Sequence, residues 1–101
     1  MVSPPKGETV VSGRYGNAEP GEFLPGITMP PEIHGLLRKR LTEIEISGTA
    51  VNCLIAEARA ESLVDALEVL KIVPAPGIER LYLLIEHSTQ ARLAEIGGQD
   101  G

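Results

Sequence analysis

Few side chains in this sequence suit nucleophilic or metal chemistry: His34, Cys53, Glu86 and His87. A thiol and an imidazole can form a nucleophile–base pair. Cys53, however, sits inside the apolar stretch TAVNCLIAEA, where a thiol acts as a small hydrophobe and stays unactivated. His34 lies between Ile33 and Gly35, and His87 precedes Ser88. Neither has a second ligand at H-x-x-x-H or C-x-x-C spacing. Gly13-Arg14-Tyr15-Gly16 lacks the lysine and the flanking strand and helix of a phosphate-binding loop. Glu43, Glu45, Glu57, Glu61 and Glu68 are spread along solvated faces rather than paired about a pocket. The reading is therefore of no catalytic set, no metal and no cofactor. One ligand site is a candidate: backbone amides at a helix start near Ala75–Gly77, with Gly77, His87 and Ser88 as contacts at a subunit interface.

The elements that position these residues come from a short chain. At 101 residues it forms one small domain, for which association often adds stability. Apolar residues make up 43% of the sequence, yet the aromatic rings are only Tyr15, Phe23 and Tyr82, so the interior is aliphatic. A formal charge of −5 argues against nucleic acid, which calls for a basic stripe. Arg38-Lys39-Arg40 is the one cationic run and suits the last turn of a helix. A lone cysteine fits a reducing compartment. The N-terminal residues lack the pattern of a secretory signal, and no apolar run reaches the ~20 residues of a membrane span. These features place the protein in the cytoplasm, away from membranes.

Residues 1–31 hold six of the eight prolines and five of the eleven glycines, which predicts an irregular arm over 1–29. The arm still carries Tyr15, Phe23 and Leu24, which suits an arm folded over its own domain or, since such side chains are favoured anchors, one that orders on a partner chain. A compact domain over 30–97 follows, with 98–101 a disordered end. Pro30-Pro31 predicts a helix start, with Ile33, Leu36, Leu37 and Leu41 on one face and the basic run closing it. Thr42-Glu43-Ile44-Glu45-Ile46 alternates as a half-buried strand does, and TAVNCLIAEA reads as a second strand after Ser47-Gly48. Ser62 starts a helix that reaches Ile72 or Val73, ahead of Pro74. After Pro76-Gly77, the block Leu81-Tyr82-Leu83-Leu84-Ile85 reads as a buried central strand, and Thr89–Ile96 as a helix stopped by Gly97-Gly98.

With Thr9-Val10-Val11 as a leading strand, this order gives β-α-β-β-α-β plus a C-terminal helix. That is an α+β, ferredoxin-like two-layer sandwich: three or four strands with helices on one face. The competing architecture is an all-α hairpin or bundle. In the sandwich, Tyr82 and Leu84 point to the uncovered sheet face, which would then be hidden by a homo-oligomeric contact or by the arm. The functional expectation is a non-enzymatic oligomeric module for structure, assembly or regulation. It binds itself, as a dimer or ring, and possibly a larger protein, through Tyr15, Phe23, Leu24, Tyr82 and Leu84. The alternatives are a small-molecule-sensing domain and a small enzyme or enzyme subunit.

Overall fold

A computed structural model describes residues 19–100, with side chains described through residue 98. Tyr15 and the Thr9-Val10-Val11 segment lie outside the described residues. The described residues begin with a short antiparallel hairpin, β1 (Glu22–Leu24) and β2 (Ile27–Thr28), turned through Pro25-Gly26. Gly26 has φ +82°, a backbone state that favours glycine. Three helices follow: α1 (Pro31–Ile46), α2 (Ala50–Val69) and α3 (Ala75–Asp100). The architecture is a helical bundle with a hairpin, so the ferredoxin-like α+β sandwich is overturned and the all-α alternative fits.

Each correction has a local cause. Pro31 occupies the first position of α1, where its missing N–H costs nothing, as its sequence suggests. The helix does not stop at the basic run. Thr42–Ile46 continues it, with the Thr42 hydroxyl donating to the Arg38 carbonyl at 3.1 Å. The alternation of Ile44 and Ile46 is real but helical: Ile44 joins Leu37 and Leu41 in the core, while Ile46 is 71% exposed. The stretch read as a second strand is the first half of α2. Thr49 caps it, its hydroxyl accepting from the Asn52 amide at 3.1 Å, so Ser62 is mid-helix rather than a start.

Helix α2 ends at Val69, short of Pro74. The Ile72 amide returns to the Leu67 carbonyl at 2.9 Å and the Lys71 amide to Glu68 at 3.1 Å, the double hydrogen bond of a Schellman motif. Lys71 takes the left-handed position at φ 59° that usually belongs to glycine. Pro74-Ala75-Pro76-Gly77 then starts α3 instead of a strand. Pro76 falls in the first turn, where helix amides lack partners, and the Gly77 and Ile78 amides both donate to the Pro74 carbonyl. The block Leu81–Ile85 is helical: Leu81 and Ile85 are buried with Ile78, Tyr82 and Leu84 are half-buried, and Leu83 is 52% exposed. Gly97 and Gly98 lie within α3. Tyr82 and Leu84 therefore lie on a helix and do not point to a sheet face.

Helix α2 packs against both neighbours, which touch each other less. Its inward residues are Cys53, Ala56, Ala60, Val64 and Leu67. Across the corner between α1 and α2, Arg92 of α3 donates from Nε to the Ser47 carbonyl at 2.7 Å. The hairpin lays Phe23, Leu24 and Ile27 into the same core, and Arg80 of α3 donates to the Pro25 carbonyl. Among the described residues no helix is long and apolar enough to cross a membrane.

Candidate interaction surface

The outward side of α2 departs from what a surface helix needs. At 3.6 residues per turn, Cys53, Ala56, Ala60, Val64 and Leu67 share one face. The opposite face carries Val51, Leu54, Ile55, Ala58, Ser62, Ala66 and Val69. Val51, Leu54, Ile55 and Val69 are 66%, 50%, 54% and 77% exposed. Scattered exposed aliphatics are ordinary; here they gather at the two ends of one helix side, with small residues between them. Ile46 and Leu70 extend the line, and a groove of about 280 Å³ runs beside it between α1 and α2, lined by Ile46, Asn52, Ile55 and Arg59 among others. Helix α2 is therefore apolar toward its own core and apolar toward solvent.

Charge borders this face unequally. On the α1 side, Arg59 reaches Glu43 at 3.7 Å, and Arg40 reaches the same carboxylate at 3.0 Å. On the α3 side stand Glu57, Glu61, Asp65 and Glu68. Burial pushes the Glu61 carboxyl up, and repulsion from Glu57, Asp65 and Glu86 of α3 adds to it. Tyr82 donates its hydroxyl to Asp65 across the α2–α3 seam. That bond, then partial burial and the surrounding carboxylates, pushes the phenol up to about 12. One border is cationic at its centre; the other is acidic throughout.

The residues singled out for chemistry do not assemble. Cys53 is fully buried, its thiol 3.9 Å from the Thr89 carbonyl oxygen. His34 stands edge-on to Phe23, with ring centres 5.1 Å apart, and its Nε2 lies 3.0 Å from the Arg38 guanidinium. Burial, and secondarily Arg38, holds this imidazole below its usual range. His87 is exposed on α3, while Ser88 is buried beside it, and the Ser88 and Thr89 hydroxyls lack hydrogen-bond partners. Gly77 sits ten residues earlier on the same helix, about 15 Å along its axis. Within one chain Gly77 therefore lies apart from His87 and Ser88. Among the described residues no group of three or more His, Cys, Asp or Glu could hold a metal ion.

Gly77 instead borders a cleft of about 360 Å³ between the hairpin and α3, walled by Ile27, Ile72, Val73, Pro74 and Pro76, with Arg80 at its edge. Of the residues named for partners, Phe23 and Leu24 are spent in the chain's own core, at 0% and 8% exposure. Tyr82 and Leu84 are half-buried on α3. The α2 face was missed because TAVNCLIAEA was taken as extended. The sequence carries the signals: a Thr-x-x-Asn cap, and apolar or small residues at both 53-56-60-64-67 and 51-55-58-62-66-69, with Ser62 the polar member.

Comparisons with protein-family models, with curated proteins and with solved structures return no match.

Proposed function

We propose that this chain is a non-enzymatic interaction module that docks another polypeptide on the outer face of α2. The observation that supports this is the exposed aliphatic set Val51, Leu54, Ile55 and Val69, joined by the small residues Ala58, Ser62 and Ala66, on a helix whose other face already fills the core. Exposed aliphatic side chains gathered on one side of a helix incur a solvation cost that a second polypeptide relieves. Residues suited to catalysis are dispersed, which leaves an interface as the organised surface feature. The test places a photo-activatable cross-linking residue at Ala58 and, as a control, at Gln90 on the exposed side of α3. Irradiation in cells should yield protein adducts through position 58 and none through 90. Equal yields, or none at 58, would refute the reading.

A small-molecule-binding role is the second reading, favoured by the cleft beside Gly77, whose apolar walls and Arg80 edge suit a ligand with an aliphatic body and a carboxylate. Thermal-shift screening with short aliphatic acids checks it: an upward shift lost in Arg80→Gln supports the role, and a flat response removes it.

A further inference from the structure

We infer that the occupant of the α2 outer face is a second copy of this chain, with the two α2 helices parallel and Arg59 of each copy against Glu57 and Glu61 of the other. This rests on the docking reading above and adds the partner and its orientation.

The inference comes from the unequal borders. Arg59 marks the α1 side of the apolar line, fixed there by its contact with Glu43. Asp65 marks the α3 side, fixed there by the hydrogen bond it accepts from the Tyr82 hydroxyl, and Glu57, Glu61 and Glu68 share its flank at i±3 and i±4 helical spacing. A two-fold axis running along α2 sets the α1-side border of one copy against the α3-side border of the other. Cation then meets carboxylate twice, once at each edge. A two-fold axis across α2, giving antiparallel helices, sets each border against its own copy. Four carboxylates would then face the same four, and Arg59 would face Arg59. The charge pattern is complementary to itself only in the parallel arrangement.

Spacing and area agree. Arg59 lies two residues from both Glu57 and Glu61, about 3 Å of axial rise, so in-register parallel helices bring its guanidinium within reach of either carboxylate. Its existing contact with Glu43 is long at 3.7 Å and the side chain is 53% exposed, leaving donors for a partner. Ala58, Ser62 and Ala66 recur every four residues along the centre of the face and allow close helix approach, while Val51, Leu54, Ile55 and Val69 fill the two ends. The half-exposed aliphatics Ile46, Val51, Leu54, Ile55, Val69 and Leu70 offer on the order of 600 Å² per copy, approaching the ~800 Å² per partner of a standard interface.

The experiment begins with the solution mass of the purified full chain by sedimentation, where a dimer is expected. Val51→Cys and Val69→Cys are then oxidised separately, with the unsubstituted chain, whose Cys53 is fully buried, as the control. Parallel pairing predicts that each variant alone forms a disulfide-linked dimer. Products that appear only when the two variants are mixed would indicate antiparallel pairing and overturn the inference. Arg59→Glu should raise the dimer dissociation constant about tenfold, and adding Glu61→Arg should recover most of that loss. Circular dichroism confirms that each variant stays helical. A monomer at high concentration that still cross-links through position 58 to a different protein overturns the second-copy inference. A different protein leaves the docking reading standing. A monomer with no product at 58 removes both.

Discussion

Replacing Gly77 by alanine tests the packing at the base of the bundle. A Cβ built on Gly77 falls 2.7 Å from Val73 Cγ1 and 3.5 Å from Ile27 Cδ1 and Cγ1. The first distance is well inside ordinary carbon–carbon contact. Val73 is 3% exposed and Ile27 4%, so neither retreats into solvent, and a β-branched valine has few rotamers. Overpacking of this kind costs about 1–3 kcal/mol. Alanine's helix preference over glycine, about 1 kcal/mol in a helix interior and less in a first turn, offsets part of it. The net expectation is a loss of about 1–2 kcal/mol, or roughly 4–16 °C in Tm for a domain of this size. Gly35 supplies the internal control, because it lies within α1 and an added Cβ meets nothing within 4 Å. Gly35→Ala should therefore stabilise by about 0.5–1 kcal/mol. Urea titration monitored by circular dichroism measures both, and Val73→Ala in the Gly77→Ala background should recover part of the loss. If Gly77→Ala proved as stable as Gly35→Ala, the close seating of the hairpin and the α2–α3 connection on α3 would be wrong.

Three further outcomes are expected. Lys71→Gly, at the left-handed position closing α2, should stabilise the fold by about 1 kcal/mol in the same titration; a loss would mean the lysine side chain contributes more than its backbone strain costs. The Tyr82 phenol should ionise at about 12 by ultraviolet titration. Because its folded value lies above the ordinary 10.0, its contribution is intact below pH 10 and is lost as pH rises through about 12. Tyr82→Phe should cost about 1 kcal/mol at neutral pH, and no cost would dismiss the Asp65 bond. His34 shifts the other way: held below 6.5, it favours the neutral ring in the fold, so its contribution is present above that pH and fades as pH falls through the folded value. An NMR titration midpoint for His34 at or above 6.5 would contradict the Phe23–His34–Arg38 arrangement.

The parts of the fold legible in the sequence are those with short-range causes. Pro30-Pro31 marked the start of α1, and an aliphatic interior followed from the composition. Strand and helix were confused where a five-residue window admits both. Ile44 and Ile46 alternate, and Leu81–Ile85 is almost unbroken, yet the buried set Ile78, Leu81 and Ile85 has helical spacing once the block is extended backward. Pro76-Gly77 was read as a break, although a proline in the first turn of a helix removes an amide that lacks a partner there. The α2 face had a further obstacle. A helix apolar on two opposite sides has no net amphipathic direction, so periodicity alone cannot tell it from a buried strand. The arm is legible in its rings: of the two readings open for Phe23 and Leu24, folding over the chain's own domain or anchoring a partner, the structure shows the first.

The bond from Arg80 to the Pro25 carbonyl joins residues 55 positions apart, and it has a temporal meaning. During synthesis the hairpin leaves the ribosome before α1 and α2, and its seat on α3 leaves after them. Phe23, Leu24 and Ile27 must wait, greasy and unshielded, while α1 and α2 emerge and coil. Translation itself thus sets when this domain becomes safe from aggregation: not before the stretch around Ile85 is free to fold back over the hairpin.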